Sequence, residues 1–141
     1  MNKTTPRISK DQYYLDIAYA VSKRSTCLKR HYGCIIVKND EIIATGYNGS
    51  PREQENCCDD IKGCQRINIP HNSGNYADCP AVHAEQNAML SASRRDMVGA
   101  VLYLAGDDCT GEEHVRMSDC KPCPVCARMI ANAGITNIIG G

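Results

Sequence analysis

Residues 82–90 read Val-His-Ala-Glu-Gln-Asn-Ala-Met-Leu, and residues 122–126 read Pro-Cys-Pro-Val-Cys. The first stretch opens a predicted helix over 82–94, because its apolar residues recur at helical spacing. The second opens another predicted helix, over 122–133. A predicted strand over 100–105 separates them. Both helix starts can therefore meet at one end of a sheet, where open α/β folds bind ligands.

Metal-binding side chains stand at both helix starts. Cys123 and Cys126 are spaced to place two sulfurs on one ion, and the positive end of a helix favours their thiolate forms. With His83 they give three protein ligands, which is the pattern of a catalytic zinc site with an open position for water. Glu85 is too close to His83 in sequence to be a second ligand on the same helix face. Its carboxylate is suited to moving protons beside the metal.

The rest of the chain predicts the elements around these helices. We predict a helix over 11–23, a hairpin from the apolar runs 34–37 and 42–45, and a last strand over 136–139. The order helix, hairpin, helix, strand, helix, strand favours parallel pairing of the later strands and a mixed sheet with helices on its faces. The length fits a single domain over 1–141.

The segment 52–82 has no clear periodicity and is unusually long for a loop within a domain. Such loops are normally functional, disordered or cross-linked. The chain has ten cysteines and no apolar stretch of the secretory type at residues 1–10, so metal ligation is favoured over disulfides. Two isolated cysteines, Cys34 and Cys109, are predicted to be small buried apolar side chains instead.

Charge and hydropathy exclude other classes. Sixteen basic and sixteen acidic residues give no net charge, which argues against a large nucleic-acid footprint. No run of about 18 apolar residues is present, so no membrane span is predicted. The absence of a secretory stretch leads us to expect a cytoplasmic protein.

The combination of His-x-Glu with Pro-Cys-x-x-Cys resembles the zinc deaminases of cytosine and adenine, whose signature has this form. The stretches Arg24–Cys27 (RSTC), Gly46–Pro51 (GYNGSP) and His83–Ala88 (HAEQNA) extend the likeness to the deoxycytidylate (dCMP) deaminases. It runs from about residue 11 to 139. The resemblance implies a three-layer cytidine-deaminase-like α/β fold, with a mixed β-sheet flanked by helices.

The same resemblance implies hydrolysis of dCMP to dUMP and ammonia. His83, Cys123 and Cys126 would hold the catalytic zinc, and zinc-bound hydroxide would attack C4 with Glu85 as the proton shuttle. Two alternatives stay open: a deaminase of CMP, cytidine or another nucleobase, and a non-catalytic zinc module that binds a partner. Glu85 argues against the module, because structural zinc sites are closed by four protein ligands and need no free carboxylate.

Substrate contacts also follow from the resemblance. The Ala84 N–H would hold the pyrimidine O2, and Asn48 would bond the sugar hydroxyl. Asn48 could instead be a plain turn residue with positive φ, since Asn-Gly favours turns. The candidates for the phosphate are Arg24, Lys29, Arg30 and Arg52, each of which could instead be a solvated surface charge.

Some family members bind a second, structural zinc, and this chain has cysteines at matching positions. The preferred ligands are Cys27, Cys57, Cys64 and Cys79, with Cys58 or His71 as a replacement for one of them. The alternative is a reduced loop without metal. Family members are often hexamers activated by dCTP and inhibited by dTTP with Mg²⁺, so a homo-oligomer with such effectors is expected. The segment 106–121 is longer than the usual link and is predicted to be a polar loop that could alter substrate choice.

Overall fold

The computed structural model describes residues 4–141, so the first three residues of the predicted domain and of its polar N-terminal stretch lie outside the described residues. The elements are α1 (Lys10–Ser22), β1 (Arg30–Lys38), β2 (Glu41–Tyr47), a 3₁₀ turn (Tyr76–Asp78), α2 (Ala84–Leu90), α3 (Arg94–Met97), β3 (Val101–Asp108), β4 (Val115–Arg116), α4 (Pro124–Ala133) and β5 (Asn137–Gly140). The five strands form one mixed sheet, which confirms the predicted fold class.

Strand β3 lies at the centre of the sheet. On one edge it pairs antiparallel with β1, which continues into the antiparallel hairpin with β2. On its other edge it pairs parallel with β5 and, near its end, antiparallel with β4. The predicted hairpin and the predicted parallel pairing of the later strands are both confirmed.

The two faces of the sheet carry different helices, because side chains alternate along each strand. On one face α1 packs its Leu15 and Ala18 against a cluster that includes Ile35 and Tyr103. On the other face α2 and α4 pack against a cluster of Cys34, Ile36, Leu102, Leu104, Ala88, Cys126 and Ile130. The sheet and the helices on its two sides make the three layers that the sequence predicts.

Two strand glycines set how closely the helices approach. A Cβ at Gly46 would lie 2.3 Å from the backbone nitrogen of Ala88 and 2.5 Å from the carbonyl oxygen of Ala84, both in α2. A Cβ at Gly33 would lie 2.0 Å from the carbonyl oxygen of Ala18 in α1. Glycine is therefore what allows α2 to pack directly on β2, and this contact positions the start of α2.

Both helix starts differ in detail from the prediction. The predicted helix over 82–94 is shorter at both ends, because α2 begins at Ala84 and ends at Leu90. Ser93 caps the separate helix α3, its Oγ accepting from the backbone N–H of Asp96 at 3.2 Å. The predicted helix over 122–133 begins two residues later, with Cys123 as its N-cap and Pro124 in its first turn.

The segment 106–121 is not the plain polar loop that was predicted. Strand β3 continues to Asp108, and the two residues of β4 return along its end. The segment 52–82 is irregular as predicted, apart from the 3₁₀ turn and a bridge between Gly49 and Val82. Within residues 4–141, none of the helices combines the length and apolar character that a membrane span requires.

Candidate metal centre

The starts of α2 and α4 bring the three predicted zinc ligands together. His83 is the N-cap of α2, Cys123 is the N-cap of α4, and Cys126 lies in the first turn of α4. The Nδ1 atom of His83 lies 3.2 Å from the Sγ of Cys126 and 3.6 Å from the Sγ of Cys123. Ligands at ordinary Zn–N and Zn–S bond lengths in a tetrahedron stand about 3.6 Å apart. The three side chains therefore fit one zinc ion.

The electrostatics of Cys126 point to the same cation. Burial raises the pKa of the Cys126 thiol well above its usual range, and the neighbouring Glu85 and Cys123 raise it further. A sulfur in this setting stays protonated unless a positive charge is supplied, and a bound metal ion deprotonates a coordinating thiol. Two cysteine sulfurs and one imidazole, one sulfur of which needs a nearby cation to ionise, are therefore a donor set suited to zinc.

Glu85 lies directly behind the ligands. It is 5% exposed, and this burial raises the pKa of its carboxyl group, although the nearby His83 and Cys126 partly offset the rise. A raised pKa brings a carboxyl group closer to the neutral range in which it can both take up and release protons. Ala84, fully buried, is the first residue of α2, where backbone N–H groups have no partner within the helix.

Asn48 has a structural duty that its motif did not reveal. Its Oδ1 accepts from the backbone N–H of Tyr32 at 2.8 Å and from the Oγ of Ser25 at 2.6 Å. Its Nδ2 donates to the carbonyl oxygen of Arg30 at 2.9 Å, which leaves one N–H for a ligand. The alternative of a turn residue with positive φ is wrong, because Asn48 is not among the residues with positive φ in the described chain.

A basic group of Lys29, Arg30 and Arg66 lies around His71, beside the His83 centre. Burial lowers the pKa of His71, and so do the charges of Arg30, Lys29, Arg66 and His83, which are close enough to act on it. Arg30 bonds the hydroxyl of Tyr32 at 3.2 Å through Nη1, and its buried Nε has no hydrogen-bond partner among the described residues. The other two phosphate candidates, Arg24 and Arg52, are exposed.

Arg66 is a residue that sequence reasoning missed. It is 4% exposed, lies over the ring of Tyr76, and donates to the carbonyl oxygens of Asn75, at 3.1 Å, and of Ser73. It therefore fastens the 52–82 segment from inside. A single arginine in an irregular segment carries no spacing signal, so nothing in the sequence marked it.

The predicted second ligand set gathers more loosely. Burial raises the pKa of the Cys27 thiol to about 12, and the proximity of Cys57, Cys79 and Cys64 adds to the rise. Cys58 is exposed, whereas Cys57 is partly buried. Among residues 4–141, two groups of side chains place all their ligand atoms within 4.8 Å of one another, and these four cysteines are not one of them.

The two compact groups are the His83 centre and a group that the sequence did not predict: His31, Cys109 and His114. The prediction for Cys109 holds only in part: its side chain is largely covered, but it faces two imidazoles instead of apolar side chains. It does so because β3 extends to the residue before it. The same prediction is confirmed for Cys34, which is fully buried in the core.

Comparison with known proteins agrees with this geometry. Residues 8–141 match the family model described as the cytidine and deoxycytidylate deaminase zinc-binding region. The chain belongs to the cytidine and deoxycytidylate deaminase family. The match covers both helix starts and the 52–82 segment between the hairpin and α2. It supports zinc as the metal of the His83 centre.

Relatives within the family carry the name deoxycytidylate deaminase. That of Schizosaccharomyces pombe is 37% identical over 99% of this chain, and that of Mycobacterium phage D29 is 33% identical over 92% of it. The chain spans 91% of the phage protein but 39% of the yeast protein. A solved dCMP deaminase of the cyanophage S-TIM5, in complex with dCMP and dUMP, aligns with 96% of this chain and 83% of its own, at 28% identity and a TM-score of 0.65.

Proposed function

We propose that this protein hydrolyses dCMP to dUMP and ammonia. The observation that carries the proposal is the compact group of His83, Cys123 and Cys126 with the buried carboxyl group of Glu85 against it. A family member of known structure binds dCMP and dUMP. Relatives of similar length bear the name of this activity.

The chain's own residues supply most of the chemistry. Zinc, when bound to His83, Cys123 and Cys126, would lower the pKa of a water molecule toward neutral, so that hydroxide is available to attack a ring carbon. Glu85 would take one proton from the attacking water and deliver it to ring N3. It would then carry a second proton, from the hydroxyl group formed at C4, to the leaving amine. The free N–H of Asn48 would hold the sugar hydroxyl, and the Ala84 N–H at the helix start would hold the pyrimidine O2.

For the phosphate we propose Arg30, supported by Lys29. Arg30 extends from the same face of β1 as Tyr32, whose pKa is raised by burial and by the nearby Glu85. Tyr32 is thus close to both Arg30 and Glu85, which places Arg30 near the carboxyl group proposed to move protons at the ring. The Arg30 guanidinium is partly exposed, and its nearest carboxylate, that of Asp108, stands 3.9 Å from Nη2, so donors remain for an anion. A planar guanidinium suits a phosphate because it can bond two oxygens at once.

An assay of purified protein against dCMP, CMP, deoxycytidine and dCTP, following ammonia release, tests the activity. We expect dCMP to be turned over with the highest kcat/KM. A preference for CMP or deoxycytidine would contradict the proposed substrate, and no release from any of the four would contradict the proposed function.

Arg30→Gln tests the phosphate contact. We expect kcat/KM for dCMP to fall by roughly tenfold to a hundredfold, the effect of losing a hydrogen bond to a charged group. The rate on deoxycytidine, which has no phosphate, should not change. Arg24→Gln is the matched control, because Arg24 is exposed. Equal losses on the two substrates would assign Arg30 to structure instead.

We also propose that Cys27, Cys57, Cys64 and Cys79 bind a second, structural zinc. The mutual effect of these thiols on the pKa of Cys27 supports the set, and the position of His71 beside the basic group argues against its use as a ligand. Binding would draw the sulfurs together and offset the cost of ordering a segment with little apolar content.

Metal analysis of two neighbouring variants tests this second zinc. Cys57→Ser should contain one zinc fewer per chain than the wild type. Cys58→Ser is the control, because Cys58 is adjacent but exposed, and it should keep the full content. Equal zinc in both variants would contradict the proposed ligand set.

The homo-oligomer, with a hexamer as its expected form, and its regulation by dCTP and dTTP with Mg²⁺ stay predictions. Particle mass by light scattering, measured with and without dCTP and Mg²⁺, tests the assembly. A monomer under both conditions would contradict it. Activity at low dCMP should rise with dCTP and fall with dTTP.

A further inference from the structure

The group His31, Cys109 and His114 forms where two strands end together. In the β1–β3 ladder Arg30 pairs with Asp108 and His31 with Asp107. The backbone N–H of Cys109 extends this ladder by donating to the carbonyl oxygen of Lys29 at 3.0 Å. His31 and Cys109 are therefore diagonal neighbours on the same face of the sheet.

His114 completes the group from the segment between β3 and β4. Its ring meets that of His31 edge to face, with the centroids 5.5 Å apart. One nitrogen of each imidazole and the Sγ of Cys109 all lie within 4.8 Å of one another. Two imidazoles and a thiol at this spacing are donors that zinc and related divalent transition metals prefer over Mg²⁺ or Ca²⁺.

The orientation of His31 supports a ligand role. Its Nε2 lies 2.8 Å from the carbonyl oxygen of Cys27, so this nitrogen carries the proton and donates. The Nδ1 lone pair is then free. Histidines that bind metals usually donate their other N–H to a carbonyl or carboxylate in this way, which fixes both the ring and its tautomer.

The group is separate from the His83 centre. His31 lies on the face of the sheet that carries α1, next to Asp107, whose carboxylate accepts from Tyr19 at 2.8 Å and Lys23 at 2.7 Å. The His83 centre lies on the opposite face, with α2 and α4. The sheet therefore stands between the two groups, and no side chain serves both.

We propose that His31, Cys109 and His114 bind a divalent transition-metal ion, zinc in the first place, that ties both ends of the segment between β3 and β4 to β1. Asp107 is not a member of the compact group, and its carboxylate oxygens accept from Tyr19 and Lys23, so it is not assigned as a fourth ligand. His114 is exposed, and water completes the coordination from that side. The ion orders a segment that otherwise has few buried side chains.

Equilibrium dialysis of the purified holoprotein against micromolar ZnCl₂, followed by zinc analysis, tests the site. His114→Ala and Cys109→Ser should each bind one zinc fewer per chain than the wild type. Glu113→Ala, a change at the adjacent exposed residue, should bind as much as the wild type. Because His114 is exposed, His114→Ala gives a result even where Cys109→Ser fails to fold. Equal zinc in His114→Ala and Glu113→Ala would overturn the proposal.

Trypsin cleavage after Arg116 gives a second readout, since Arg116 lies in β4, two residues after the ligand His114. In the wild type, zinc at ten times its dissociation constant should slow this cleavage by about tenfold, because only the unbound form is open to the protease. In His114→Ala the same zinc should leave the rate unchanged. Equal slowing in the two proteins would contradict the site.

Discussion

The helix-start centre and the cysteines of the 52–82 region differ in what holds their ligands. At the helix-start centre His83, Cys123 and Cys126 stand on two helices packed against the sheet, and their donor atoms are already at metal-binding distances. In the 52–82 region Cys57, Cys64 and Cys79 lie in irregular chain and only approach Cys27. The first centre is preformed by packing, whereas the second depends on the metal for its shape.

The difference follows from burial. Ala84, Ala88 and Cys126 are fully buried, so apolar packing fixes the helices before any ion arrives. The 52–82 segment buries Arg66 but hardly any apolar side chain, and its backbone forms turns rather than a ladder. Mutation of the preformed centre should therefore mainly lower the rate of catalysis. Mutation of the cysteine set should mainly lower the local order of the 52–82 segment.

Glu85→Gln should give the largest effect and should leave the fold of both regions intact. The amide keeps the size of the side chain but cannot shuttle a proton. We expect kcat for dCMP to fall by about 10²–10⁴-fold, the usual contribution of a general acid–base group. Zinc content should stay at the wild-type value, as measured by metal analysis.

Glu113→Gln, on the exposed segment before β4, is the control and should keep full activity. Turnover by Glu85→Gln at the wild-type rate would refute the role of Glu85. Loss of zinc along with activity would instead make Glu85 part of the metal site.

Gly46→Ala should lower activity by displacing α2, the helix that positions His83 and Glu85. A Cβ there would press on the backbone of α2 at Ala84 and Ala88, so α2 must move. A displacement of about 1 Å in a catalytic group can cost roughly 10²-fold in rate. Gly33→Ala forces a similar shift of α1 on the other face. It should lower thermal stability by a similar amount, while kcat falls much less. Equal losses of kcat in the two variants would contradict the idea that α2 packing specifically supports the catalytic centre.

Local patterns explain which features could be predicted. His83, Cys123 and Cys126 were found because each lies at a helix start marked by residues a few positions away. The group of His31, Cys109 and His114 depends on the register of β1 against β3, which no short stretch of sequence encodes. The two-residue strand β4 has no periodicity to detect. The end of α2 at Leu90 was not predicted, because Ala92 continues the apolar spacing of Ala88 and Met89 beyond the helix.

Staged removal of metal separates the two regions more finely. A chelator should take the zinc proposed for Cys27, Cys57, Cys64 and Cys79 first, since irregular chain opens locally more often than packed helices do. Trypsin cleavage within 52–82 should therefore rise before activity is lost. The measurement follows zinc release, cleavage and turnover in one time course. Simultaneous loss of zinc from both centres would show that they open as a unit.

Tyr14→Phe should change stability while leaving both regions as they are. Tyr14 lies in α1, and its hydroxyl donates to Asp40 in the hairpin turn. That hydrogen bond and, next, burial raise the pKa of Tyr14 to about 12. We expect the variant to lose about 1 kcal/mol of unfolding free energy at pH 7, at the low end for a bond to a charged group because Asp40 is largely exposed.

The pH dependence of this loss has a definite sign. The folded state holds the proton of Tyr14 more tightly than the unfolded chain does, so the hydrogen bond contributes fully below about pH 10 and its contribution declines toward pH 12. The difference between wild type and Tyr14→Phe should therefore be smaller at pH 11 than at pH 7 in urea unfolding. Tyr13→Phe, at the exposed neighbouring residue, should show little loss at either pH. A difference that stays constant with pH would mean that the lost stability comes from packing of the ring. Unchanged zinc content in both variants would show that α1 supports the sheet without shaping either metal region.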